Sequence, residues 1–257
     1  MMKRLGRIFK PDGKTVVVAM DHGMGLSVNP AMDRTGEILE AVVAGGADAI
    51  LTTFGIAARY SDVLRHVGLI LRVDGGNSCL SRENRSPALL YTVEDALRLG
   101  ADAVACMGFP GAFGEQDSMK TMAALAARGR EWGVPLMAEM LPGGFDPSVP
   151  NTVENLALSA RIGCEYGASI IKTAFGGTAE EYKRVIAASY QPVVVLGGEK
   201  TSELGDLLVC LEDAMTAGAA GVAIGRNVWK HEDPERVTRA LVDLVHHQKK
   251  ASEILGL

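Results

Sequence analysis

Short apolar runs alternate along this chain with longer segments whose apolar residues recur every three or four positions. Four of the runs share an opening: GADAILTTF (46–54), GADAVACM (100–107), GASIIKTAF (167–175) and GAAGVAIG (218–225). A helical pattern precedes each: RTGEILEAVVAG, TVEDALRLG, TVENLALSARIGCEYG and LGDLLVCLEDAMTAG. Glycine after a last helical turn is the expected left-handed cap. A β-rich apolar run starting within two residues of that cap reads as a strand buried on both faces.

Four more runs fit between these: TVVVAMDHG (15–23), LILRVDGG (69–76), VPLMAEMLPGG (134–144) and QPVVVLGG (191–198). Strands are therefore predicted near residues 15, 47, 69, 101, 135, 168, 192 and 221. Helical patterns follow them, including SMKTMAALAARGREWG (118–133), AEEYKRVIAAS (179–189) and PERVTRALVDLVHHQKK (234–250). A spacing of roughly 30 residues is that of one βα unit. Eight such units predict an α/β chain folded as a single (β/α)8 TIM barrel over residues 1–257, with its active site on the loops after the strands. An open doubly wound sheet is the alternative, but no strand leads into G-x-G-x-x-G.

Composition narrows the picture. The chain has 257 residues, 47% of them hydrophobic, and a formal net charge of −5, with no block of basic residues. Nucleic acid and anionic membranes are therefore not the expected partners. No apolar run approaches the roughly 20 residues of a membrane span. The start, MMKRLGRIFKPDGK, is basic but lacks the apolar core of a signal peptide. Cys79, Cys106, Cys164 and Cys210 are scattered without a CxxC, as free thiols of a reducing, cytoplasmic compartment would be.

The predicted strand ends carry the candidate chemistry. Asp21 and His22 end the first, Arg72 and Asp74 the third, Glu139 the fifth and Lys172 the sixth. The outer face of a barrel strand packs on apolar helices, so these side chains are expected in the barrel mouth. Lysine is almost never buried without a partner, and Ile170, Ile171, Ala174 and Phe175 offer Lys172 none on its own strand. A lysine there could contact phosphate, or attack a carbonyl and form a Schiff base that lets a neighbouring C–C bond break or form. Asp21 could move protons for those steps. Glu139 is read either as a catalytic carboxylate or as a structural partner of Lys172 or Arg72. His22 and Arg72 are candidate substrate contacts, with loop hydrogen bonding and an Arg72–Asp74 ion pair as alternatives. VVVLGGEKTS (193–202) and GVAIGRNVW (221–229) end the last two strands. Barrels often bind phosphate there, so Gly197, Gly198, Gly225 and Arg226 form a candidate cradle and imply a phosphorylated small-molecule substrate.

The phrases VAMDHG, IIKTAFGG, VVVLGGEKTS and GAAGVAIGRNVWKHEDPERVTRAL resemble those of the archaeal-type class I fructose-bisphosphate aldolases. The wider group includes the aminodideoxyheptulosonate synthases and autoinducer-2 phosphate thiolases, within the deoxyribose-phosphate aldolase superfamily. The likeness spans about residues 5 to 250 and is most specific in the last segment. It implies that Lys172 is the Schiff-base lysine, Asp21 the acid/base carboxylate, and Gly197, Gly198, Gly225 and Arg226 the phosphate cradle. The donor would be a phosphorylated ketose or a compound like dihydroxyacetone phosphate, with no cofactor beyond the covalent lysine imine. A ring-shaped homo-oligomer, a pentamer or decamer, is also implied.

One departure matters. Aldolases of this group usually have a tyrosine after the fifth strand, where this chain reads Met140-Leu141-Pro142-Gly143-Gly144. Leu141 transfers no proton, so either Glu139, His22 or Tyr91 takes over, or the chemistry is of the thiolase type. The phrase LRVDGGNSCL also departs from the lysine-and-asparagine phrase expected there. A metal-dependent aldolase needs about three converging ligands, and of five histidines only His22 sits at a strand end, so no metal is expected. An inactive barrel that binds a phosphorylated metabolite is the non-enzymatic alternative.

Overall fold

In the computed structural model, residues 3–25, 30–81, 87–197 and 204–256 are described. Eight strands pair in parallel and in chain order: β1 (Thr15–Met20), β2 (Ala49–Thr52), β3 (Gly68–Arg72), β4 (Ala103–Gly108), β5 (Leu136–Met140), β6 (Ile170–Ala174), β7 (Val193–Leu196) and β8 (Gly221–Ile224). β8 returns to β1 in the register Thr15↔Gly221 to Val18↔Ile224, which closes the barrel. The (β/α)8 barrel expected from the spacing of apolar runs is the observed fold.

Helices follow every strand. They are α1 (Thr35–Ala44), α2 (Phe54–Arg59), α3 (Ser61–Leu64), α4 (Val93–Arg98), α5 (Glu115–Trp132), α6 (Val153–Glu165), α7 (Ala179–Ala188), α8 (Leu204–Thr216), α9 (Arg226–Trp229), α10 (Pro234–His246) and α11 (Ala251–Leu255). Side-chain caps start several of them. Thr92 with Asp95 and Thr178 with Glu181 form capping boxes, and Asp233 caps α10 ahead of Pro234. The short α2–α3 pair and a two-residue ribbon, Asp74–Gly75 against Ala88–Leu89, are additions that periodicity did not reveal.

The recurring Gly-Ala phrase has a physical basis. Gly46, Gly100, Gly167 and Gly218 have φ of +93°, +77°, +95° and +107°, left-handed turns that let each chain reverse from helix into strand. In the two Gly-Ala-Asp copies the aspartate ties neighbouring strands. The Val16 N–H donates to Asp48 Oδ2 at 2.7 Å, and the Leu69 N–H donates to Asp102 Oδ2 at 3.0 Å.

Two apolar layers result. Outward side chains such as Val18, Leu71, Val104 and Ile171 pack with the helices. Inward ones, among them Val17, Leu51, Ile70, Met137, Ile170 and Val194, fill the barrel. Its floor is plugged by Ile8 and Phe9, which follow a 3₁₀ turn at Lys3–Arg7. The Thr15 hydroxyl donates to Ile8 O at 2.7 Å and holds the plug in place. Two residues of the basic amino-terminal stretch are thus part of the core.

The same end holds a charged clamp. His246 on α10 contacts Asp12 Oδ2 through Nδ1 and Asp48 Oδ2 through Nε2, both at 2.7 Å, with Lys10 Nζ 3.3 Å from Asp48. Ionised carboxylates only accept, so both ring nitrogens carry protons. The bond to Asp48 raises the His246 pKa above its ordinary value, with Asp12 adding to it against the opposing effect of burial. The clamp's stabilisation is therefore fully present below the unfolded imidazole value of about 6.5 and fades as pH rises through the higher folded value. His246→Ala is expected to lower stability by about 1.5–3 kcal/mol below that window and by less above it. Urea denaturation of both proteins at stepped pH measures this; a pH-independent difference would contradict a protonated clamp.

Candidate active site

Strand alternation builds the site from the packed interior upward. Ile170, Met137 and Ile70 lie in the inner layer, and the next residues on the same faces are Lys172, Glu139 and Arg72. Glu139 and Lys172 are direct partners in the β5–β6 register. Small inward residues, Ala19 on β1, Ala105 on β4 and Ala223 on β8, leave room for long charged side chains to turn inward.

These side chains form one buried network. The Arg72 guanidinium donates from Nε to Asp21 Oδ2 at 2.9 Å, from Nη1 to Asp74 Oδ1 at 3.4 Å, and from Nη2 to Glu139 Oε2. The other Glu139 oxygen, Oε1, lies 2.7 Å from Lys172 Nζ. Asp74 Oδ2 also accepts the Met107 N–H at 2.7 Å. Lys172 is 4% exposed, Arg72 3% and Asp74 1%, so none of these charges is solvated in the ordinary way.

Their protonation follows from that burial. Desolvation pushes the Asp21 carboxyl up, but Arg72, Lys172 and His22 outweigh it and hold it down to about 2. Glu139 is likewise raised by burial and lowered further by Lys172 and Arg72, so it stays ionised. Asp74 is different. Burial dominates, Glu139 adds repulsion, and its carboxyl is pushed up to about 6 despite Arg72 and the Met107 N–H. Burial holds the His22 imidazole below its usual value despite Asp21, so it is neutral near pH 7.

Above the network lies a cavity of about 900 Å³ lined by Asp21, His22, Arg72, Asp74, Glu139 and Lys172 on its floor. Gly197, Gly225 and Arg226 line it from the β7 and β8 ends. The Asn227 amide donates to Gly197 O at 3.2 Å and links those two loops. A Cβ on Gly225 would lie 2.4 Å from His22 Cε1 and 2.8 Å from Ala19 O, so close packing against β1 demands glycine there. Gly198 lies outside the described residues.

The structure decides between several alternatives. Lys172 has Glu139 of the adjacent strand as its partner. Arg72 lines the cavity floor with each of its three nitrogens engaged by a carboxylate, so the ion pair with Asp74 extends to Asp21 and Glu139. His22 lines the cavity, with its ring edge-on to Trp229 at 5.5 Å and its Nδ1 3.6 Å from Asp21 Oδ1. Tyr91 is not at the site: it stacks on Phe54 at 4.6 Å and does not line the cavity. No tyrosine does, although all five are described. Leu141 lines the cavity instead, joined by Phe109, Phe113 and Phe145, which sequence reading passed over because nothing in a loop phenylalanine marks it as facing a site. Among the described residues, no three His, Cys, Asp or Glu side chains are grouped to hold a metal ion, and no helix is long and apolar enough to cross a membrane.

A parallel barrel with a buried lysine, a carboxylate at its nitrogen and an open cavity above defines an aldolase-type site. Residues 15–231 match the DeoC/LacD family aldolases, and the chain belongs to that family. It is 36% identical over 244 residues to the 2-amino-3,7-dideoxy-D-threo-hept-6-ulosonate synthase of Halobacterium salinarum, covering 95% of this chain and 90% of that protein. It is 33% identical over 258 residues to the 3-hydroxy-5-phosphonooxypentane-2,4-dione thiolase of Escherichia coli K12, covering 100% of this chain and 86% of that one. A solved archaeal fructose-1,6-bisphosphate aldolase, with its catalytic lysine covalently bound to the carbinolamine intermediate of its substrate, superposes with a TM-score of 0.86 at 31% identity, over 95% of this chain and 99% of that one. The resemblance read from the strand-end phrases is thus the family found.

The network makes Arg72 the residue whose loss strands the most buried charge. Arg72→Met is expected to destabilise the fold by about 3–5 kcal/mol at neutral pH. Chemical denaturation should show the deficit shrinking as pH falls through the carboxylate range, since protonated acids no longer need the cation. A stability matching the wild type at pH 7 would remove Arg72 from this role.

Proposed function

We propose that this chain is a Schiff-base lyase acting on a small phosphorylated carbonyl compound, with Lys172 as the nucleophile. The observation that carries the reading is the Lys172 nitrogen, buried on the inward face of β6, 2.7 Å from a carboxylate and open to the cavity above.

Attack requires the amine to shed a proton, and Glu139 Oε1 is the acceptor within reach. The amine then adds to the substrate carbonyl, the carbinolamine loses water, and the iminium withdraws electrons from the adjacent C–C bond. Its N–H keeps a positive charge facing Glu139, so the ion pair survives the change of covalent state. Cleavage needs a base for the substrate hydroxyl. Asp21, ionised and lining the cavity, fills that role. Lys172 is among the cations that depress its proton affinity, and the iminium keeps a charge at that nitrogen, so Asp21 stays ionised and able to accept the hydroxyl proton as the bond breaks. Gly197, Gly225 and Arg226 receive the phosphate, with backbone N–H groups and a guanidinium suited to an oxyanion. The thiolase and the solved aldolase act on phosphorylated carbonyl compounds, which supports the same substrate class here. A ring-shaped homo-oligomer belongs to the proposal by family likeness, as does a cytoplasmic setting.

A second reading is thiolase-type cleavage of a phosphorylated dicarbonyl with the same lysine. It is favoured by Leu141, which lines the cavity where the resembled aldolases have tyrosine, and by the 33% identity to the thiolase. Cleavage of a phosphorylated dione that depends on an added thiol would establish it over retro-aldol release of an aldehyde.

Borohydride in the presence of dihydroxyacetone phosphate is expected to add the donor's mass at Lys172, located by peptide mass spectrometry. Lys172→Ala should abolish that adduct and lower turnover at least about a hundredfold, with circular dichroism unchanged. An unmodified wild-type protein across a panel of ketose phosphates would leave the inactive binding barrel as the better account. Glu139→Gln is expected to slow turnover by about 10²-fold or more and to alter its pH profile; an unchanged profile would return Glu139 to a structural role.

A further inference from the structure

The wall opposite the phosphate cradle is of another chemical kind. Lys172 stands on β6, with the β7 and β8 loops on one side and the β5 and β4 loops on the other. The β4 and β5 loops, residues 109–114 and 141–152, contain no lysine or arginine at all. They present Phe109, Phe113, Leu141 and Phe145 to the cavity, together with the carboxylate of Asp146 and the amide of Asn151. Phe113 and Phe145 are 82% and 72% exposed, an unusual solvation for phenylalanine at a cavity rim.

The panel is held in place. Phe145 meets Phe109 edge-on at 5.4 Å, and the Gly143 N–H donates to Pro110 O at 2.7 Å, bonding one loop to the other. Gly144 has φ of +66°, and a Cβ there would lie 3.0 Å from the Phe109 ring, so the turn that delivers Phe145 to its neighbour is built for contact between the two aromatics.

We propose that this panel is the acceptor subsite and that the second half of the substrate is an uncharged, apolar aldehyde, so that the full substrate is a monophosphate and not a bisphosphate. The inference rests on the Schiff-base reading and adds the identity of the released arm. A second phosphate on that side would meet phenyl rings, a carboxylate and the single amide of Asn151, with no cation on either loop to receive it. In the cleavage step the substrate hydroxyl gives its proton to the base and the C–C electron pair moves to the iminium. The apolar aldehyde departs, the enamine takes up a proton, and water releases the donor ketone from Lys172.

The test is run in the condensation direction with dihydroxyacetone phosphate as donor and benzaldehyde or glyceraldehyde 3-phosphate as acceptor. Wild-type protein is expected to favour benzaldehyde in kcat/KM by about tenfold or more, and Phe145→Ser to reduce that ratio by about tenfold. A preference for glyceraldehyde 3-phosphate, or a ratio unmoved by Phe145→Ser, overturns the subsite. Phe113→Ser examined by size-exclusion chromatography adds an independent arm: a changed oligomeric state with an unmoved acceptor ratio assigns the panel to a subunit contact and also overturns it. Borohydride trapping of the donor on wild-type protein separates the failures. An adduct without aldehyde preference sinks only the subsite, whereas no adduct sinks the underlying reading as well.

Discussion

The Arg72 guanidinium touches carboxylates from the ends of β1, β3 and β5, and through Glu139 it is coupled to Lys172. Three acids and two bases are thereby buried together at the barrel rim. Ions in a low-dielectric interior are tolerated only when each is paired and hydrogen bonded. The surplus negative charge is held least firmly at Asp74, whose carboxyl rises to about 6, so it gains a proton first as pH falls while Asp21 and Glu139 remain ionised. The Lys172 amine is therefore part of an electrostatic unit, and its proton cannot move without changing the proton affinity of the others.

That coupling frames the missing phenol. An aldolase that uses tyrosine brings a proton donor from outside its ion cluster. Here the residue at that place is Leu141, and among the described residues the cavity floor offers the carboxylates of the cluster and His22 as groups able to accept or release a proton. The apolar surface that Leu141 adds is continuous in character with Phe109 and Phe145, so one substitution removes an acid and extends a greasy wall.

Much of this was legible in the amino-acid order, for identifiable reasons. The eight strands showed because they are buried on both faces and recur at the spacing of a βα unit, four of them starting beside a glycine cap. Charged residues at strand ends pointed to the rim because the alternative, the helix-covered face, excludes ions. Pairing across strands was legible only as an alternative for Glu139. That Arg72 would spend every nitrogen on carboxylates depends on three strand ends converging, and the register that places Glu139 opposite Lys172 is a property of the closed barrel. The plug formed by Ile8 and Phe9 was hidden because two apolar residues in a basic stretch carry no periodicity. Tyr91 looked available for chemistry only because its stacking on Phe54 has no local signature.

The seam between β1 and β8 also bears on how the chain is made. Val17 sits opposite Ala223, so β1 waits for more than 200 intervening residues before its second neighbour exists. Pairings so distant in sequence form slowly, and unpaired strand edges invite association with other chains. Until the last strand arrives, the open edge of β1 is a surface of that kind.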